Sequence, residues 1–256
     1  MTVRMKRVLL LIWRMLYPLL LYQLISELVF HTWLSTHGGI AESMALPLTA
    51  LAAGLSLVPL GILYRVRSGR EHACQTARTG LTVFWSALAG IGACLLFNYV
   101  VLLLPFVTRR YEEAQALLFQ PSLPLQILCT GLVIPLTEEL IFRGLAYRCL
   151  RREFPFAGAA VISAIYFGLF HGNLLQGTYA FILGLLLAWL YEKVGRLSAV
   201  WAFHAAANVT AVVCSASALP VQNGNSPAGL AAVIGGVLMA AACYQILQNK
   251  ERGTKR

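Results

Sequence analysis

Two carboxylates and a guanidinium stand where ionisable groups are expensive. The run Thr137-Glu138-Glu139-Leu140-Ile141-Phe142-Arg143-Gly144 lies inside a segment, about Leu125 to Tyr147, that is otherwise apolar enough to span a bilayer. A charged side chain at mid-membrane carries an insertion penalty of roughly 2.5 to 3.5 kcal/mol, so such groups are normally paired, turned toward a cavity, and functional. On a helix Glu139 and Arg143 are i and i+4 with the acid N-terminal, the favoured orientation for a same-face ion pair. Glu138 is rotated about 100° from Glu139 and need not share that pair. The expected division of labour is a structural ion pair of Glu139 with Arg143, and a Glu138 left to do chemistry. Pro135 cannot donate to the carbonyl of Gly131, so the helix is expected to bend just before Glu138 and open space for water.

Three further polar side chains interrupt spans made of Ala, Leu, Phe and Val. His171 ends Phe167-Gly168-Leu169-Phe170-His171, and His204 and Asn208 bound His204-Ala205-Ala206-Ala207-Asn208. At i and i+4 the latter two share a helix face, and the alanines between them leave room for a close neighbour. Of the five His, His31 and His37 are expected in an outer loop and His72 in a cytoplasmic one, where solvation is the plainer reading. A single intramembrane His or Asn is more often interhelical glue, worth about 0.6 kcal/mol on average. An acid, two imidazoles and an amide exceed what glue requires, so Glu138, His171, His204 and Asn208 together read as a catalytic set.

The elements that must position these groups follow from composition. With 59% hydrophobic and 12% charged residues in 256, the chain is an integral membrane protein rather than a soluble domain. All ten acidic residues are Glu, so acid-dependent chemistry has ten positions to draw on. The net charge of +10 falls in short clusters between apolar spans, which excludes a nucleic-acid surface and marks membrane topology. The six Cys show no CxxC pattern and read as small hydrophobes. Apolar runs at about Val8–Phe30, Met44–Tyr64, Leu81–Phe106, Leu125–Tyr147, Phe156–His171, Leu175–Tyr191, Leu197–Ser215 and Ala228–Leu247 give an all-α bundle of eight transmembrane helices. Lys and Arg concentrate at both termini and in alternate loops, which puts both termini in the cytoplasm. The outer segment Thr108–Pro124 mixes charge with Leu117, Leu118 and Phe119 and is expected to hold a short surface helix. Residues 1–256 read as one integral membrane domain, without a linker or internal repeat.

Glu138-Glu139-x-x-x-Arg143, Phe167-x-x-x-His171 and His204-x-x-x-Asn208, in that order on separate spans, resemble the three signatures of the CPBP intramembrane proteases. This is the CAAX protease and bacteriocin-processing group, also called Abi, which includes the type II CAAX prenyl endopeptidases. The resemblance covers about residues 125–213, a third of the chain, and is intact at the signature positions. It implies an intramembrane endopeptidase acting on a membrane-associated peptide or protein. Glu138 would be general base on a water also held by His171, and His204 and Asn208 would donate to the oxyanion. The family is commonly labelled metalloprotease, and His171, His204 and Glu138 could bind a divalent metal such as zinc; a glutamate mechanism without metal is also proposed for its members. No HExxH is present to decide between them. By rise alone His204, Glu138 and His171 lie about 10, 15 and 22 Å deep, a stagger that helix tilt would have to close. Two other classes compete: a catalytically silent membrane-embedded immunity or scaffold protein, and a proton-coupled transporter. A multi-pass protein of a bacterial plasma membrane is the expected setting.

Overall fold

A computed structural model describes residues 2–68, 79–102, 122–171, 174–216 and 227–254. They form eight helical rods with no strand among the described residues. In chain order these are α1 (Val3–His37), α2 (Glu42–Ser68), α3 (Thr79–Leu102), α4 (Leu123–Arg151), α5 (Phe156–Phe170), α6 (Leu174–Val194), α7 (Leu197–Ala216) and α8 (Pro227–Thr254). Seven of the eight are long and apolar enough to cross a membrane; α5, with 15 residues, is shorter. The fold is therefore an all-α polytopic membrane bundle. The expected surface helix in 108–124 lies outside the described residues, save for 122–124, which open α4, and so do His72 and Cys74.

Two helices run well past their expected ends, α1 to His37 and α8 to Thr254. His31 and His37 are not in a loop: α1 runs on through both and stops at Gly38, whose φ of 70° is the left-handed turn that ends a helix. The extension is held by side chains that replace hydrophobic signal. Trp33 and His37 stack one turn apart with ring centroids at 3.9 Å, and the hydroxyls of Thr32 and Thr36 bond back to the carbonyls of Leu28 and Thr32. Pro18 is absorbed within the same helix.

The spans differ in how much protein surrounds them. α1 is the least buried and α4 the most. α4 is the post of the bundle, and Phe142, Arg143, Tyr147, Ile141 and Leu145 are among the largest fully buried side chains. It is also the least regular. An α-helical segment Ile134–Glu139 sits between two π-helical stretches, Ile127–Val133 and Leu140–Tyr147. The expected proline bend is thus replaced by wide turns on both sides of the acids. Where Pro135 offers no N–H, the chain widens beforehand, and the N–H of Ile134 reaches the carbonyl of Cys129 five residues back. α7 is set against this post by close backbone contact from behind. A Cβ on Gly90 of α3 would fall 2.1 Å from the carbonyl oxygen of Phe203, the residue before His204, so only glycine permits that approach.

Candidate active site

The segment Ile134–Glu139 and the turn after it aim three ionisable groups, Glu138, Glu139 and Arg143, into the contact of α4 with α5, α6 and α7. Glu139 and Arg143 are fully buried, and Nη1 of Arg143 donates to Oε1 of Glu139 at 3.2 Å. The guanidinium makes two more contacts. Its Nη2 donates to the carbonyl of Gly184 on α6 at 3.2 Å, and its carbon lies 4.4 Å from the centre of the Phe167 ring on α5. Arg143 therefore fastens three helices.

Glu139 has a second partner that its sequence position does not reveal. Its Oε1 also meets Nδ1 of His204 at 2.8 Å, from α7. A carboxylate only accepts, so the proton of that bond sits on Nδ1, and Nε2 faces outward. Nε2 lies 3.7 Å from Oε2 of Glu138. One imidazole is thus flanked by the two adjacent acids, bonded to one and within ion-pair range of the other. The acids differ in access: the Glu138 side chain keeps 13% of its surface exposed and that of Glu139 keeps 1%. Water can reach only the first.

Phe167 is the hub beside this cluster. Its ring packs edge-on against His204 at 5.8 Å and against His171 at 4.8 Å. His171 caps the end of α5, and its Nδ1 donates to the carbonyl of Phe167 at 2.8 Å, which leaves Nε2 with its lone pair. No hydrogen bond or ion pair among the described residues joins His171 to Glu138 or His204; the phenyl ring stands beside both imidazoles instead. Asn208 lies one turn beyond His204 and donates from Nδ2 to the carbonyl of Thr130 at 2.9 Å.

Both imidazoles thus have Nδ1 backed by an acceptor, as metal-binding His residues do. The donors nevertheless do not converge. Among the described residues no three His, Cys, Asp or Glu side chains are grouped so as to hold a metal ion. His171, His204 and Glu138 as placed do not fit a zinc site.

A second polar cluster on α4 escaped sequence reasoning. Arg151 grips Glu192 of α6 with two bonds, Nε to Oε2 at 3.0 Å and Nη2 to Oε1 at 2.8 Å. The Tyr147 hydroxyl donates to the same Oε2 at 2.8 Å. The available signal was Glu192 itself, an acid at the end of an apolar span in a chain with few acids.

Comparison with known proteins points the same way. Residues 120–210 match the family model of the type II CAAX prenyl endopeptidases, Rce1-like. YdiL of Bacillus subtilis (strain 168), a presumptive membrane peptidase by its name, is 28% identical over 172 residues, which are 65% of this chain and 69% of that one. No solved structure matches the chain. Both matches support the resemblance to the CPBP group, and with it an intramembrane protease in a multi-pass membrane protein.

Proposed function

We propose, on the premise of a CPBP-type protease core, that the chain hydrolyses a peptide bond of a membrane-associated substrate with water activated between Glu138 and His204. The observation that supports this reading is the imidazole of His204 lying between two carboxylates of unequal access. Glu138 is the one water reaches, and so the base. It takes a proton from that water as the oxygen attacks the substrate carbonyl carbon, and the carbonyl electron pair moves onto oxygen. The protonated carboxyl then returns its proton to the leaving amine as the C–N bond breaks. A general base of this kind supplies about 10²- to 10⁴-fold.

Glu139 holds the ring of His204 by Nδ1, so that Nε2 is the atom presented to the reaction. In the doubly protonated ring Nε2–H donates to the oxyanion, a contribution of roughly 2.7 to 4 kcal/mol in a comparable hole. His171, beside Phe167, would hold the substrate or the water through its Nε2. Asn208, whose amide is engaged with Thr130, is left out of these steps. A metal, were one bound, would polarise the carbonyl and acidify the water. In the reading proposed here, that work falls to Glu138 and His204.

The substrate class implied by the family is a peptide at the bilayer: a bacteriocin-type leader, or a prenylated CAAX terminus where the host prenylates. The test is purified protein in liposomes with synthetic single-span peptides, leader peptides and farnesylated Cys-aliphatic-aliphatic-X peptides, read by mass spectrometry. Wild type cleaves at least one and Glu138→Gln none. Absence of cleavage by wild type across the panel would favour the silent scaffold protein.

A further inference from the structure

A backbone carbonyl inside a helix needs a donor, and the hydrocarbon core has no water to supply one. In α4 the N–H of Ile134 goes to Cys129, which withdraws it from Thr130. In that register the next N–H, from residue 135, would serve Thr130, and residue 135 is proline. The carbonyl of Thr130 is left without a donor in its own helix. Nδ2 of Asn208 fills the place at 2.9 Å. The approach is close: a Cβ on Gly131 would lie 2.7 Å from Cγ2 of Val209, so glycine there lets α7 near enough for a short side chain to reach.

We propose that Asn208 is a positioning residue whose amide stands in for the N–H that Pro135 lacks, and that this tether fixes α7 on α4 so that His204 sits between Glu138 and Glu139. The catalytic part of the inference rests on the function proposed above. Asn208 is one turn from His204, and on the other side Trp201 donates from its indole N–H to the carbonyl of Leu132 at 3.0 Å. His204 is therefore held between two bonds from α7 to the backbone of α4. A slide of about 1 Å would lengthen the 2.8 Å bond from Nδ1 to Glu139 past the hydrogen-bond range, and such a misplacement costs about 10²-fold in rate. The bond from Asn208 is made to the protein itself, which gives that amide a role other than the oxyanion contact its spacing suggests.

The two roles part in a double-mutant cycle. Wild type, Asn208→Leu, Pro135→Ala and the double variant are purified, and each is assayed for thermal unfolding and for kcat and KM on whichever peptide of the panel wild type cleaves. Leucine keeps the branched outline of asparagine, though it is larger, and removes the donor; the Pro135→Ala change restores the N–H that Thr130 lacks. With Pro135 in place, Asn208→Leu should lower kcat about 100-fold with KM little changed, and lower the unfolding midpoint. In the Pro135→Ala background the same substitution should cost less than about tenfold and leave the midpoint nearly unmoved. Equal losses in both backgrounds, as a direct oxyanion donor gives, would overturn the proposal. Should Asn208→Leu fail to fold alone, folding of the double variant supports the tether and failure of both overturns it. Should wild type cleave nothing, the functional reading falls by itself, and the unfolding midpoints still decide the tether.

Discussion

Two arginines on α4 hold the same neighbour in opposite ways. Arg143 reaches Gly184 of α6 and Arg151 reaches Glu192 of α6, eight residues further along both helices, so the two ties are about 12 Å apart. The outer tie is saturated: two guanidinium nitrogens and a tyrosine hydroxyl fill both oxygens of Glu192, with about a third of each charged side chain in contact with solvent. The inner tie is not. Glu139 Oε1 is shared between Arg143 and His204, and Oε2 of Glu139 and Nε of Arg143 are buried without a protein partner. The cluster nearer solvent completes its bonds, and the cluster beside the acids leaves some open. Incomplete satisfaction of buried polar atoms is disfavoured, and here it falls beside Glu138.

The largest contrast is in hydrolysis. Glu138→Gln keeps volume and removes the base, so the rate should fall by about 10²- to 10⁴-fold, whereas Glu192→Gln should leave it near wild type. A comparable loss in both would mean that the two clusters are one functional unit.

Next in size is stability. Glu139→Gln leaves Arg143 charged and without a carboxylate in a dry site, a defect of roughly 3 to 5 kcal/mol, and unfolding in detergent should shift accordingly. Normal stability with the same catalytic loss as Glu138→Gln would show that the acids have been assigned the wrong way round.

Breaking the outer tie should matter far less. Arg151→Ala removes a pair that solvent already screens, so its unfolding midpoint should stay close to wild type. A shift as large as that of Glu139→Gln would erase the contrast.

The smallest expected effect concerns metal. Because the His and Glu donors do not converge, a chelator should leave activity unchanged, and elemental analysis should find zinc well below one equivalent. Stoichiometric zinc, lost together with activity in His204→Ala, would restore the metalloprotease reading.

The bundle was legible because apolar length is a one-dimensional signal. The Glu139–Arg143 contact was legible for the same reason, since i,i+4 spacing on a helix is local. What failed to show was either non-local or a matter of register. Glu139 meets His204 across 65 positions of sequence, and no pattern marks which acid of an adjacent pair faces a distant imidazole. The π-helical turns of α4 use ordinary residues and shift only which carbonyl each N–H finds. The length of α1 was missed because Thr32, Trp33, Thr36 and His37 carry no hydrophobic signature yet cap one another.

α1 also sets a mechanical condition on the rest. Its 35 residues make a rod of about 52 Å, against a hydrocarbon layer of about 30 Å. Tilt of ordinary size leaves several turns projecting beyond that layer. The rod is gripped near its middle, where the Tyr166 hydroxyl donates to the carbonyl of Met15 and Tyr22 leans on Phe170. Both gripping residues belong to α5, the short helix that ends at His171. Though its main packing is against α2 and α4, α1 is thereby joined at mid-length to the helix that carries His171.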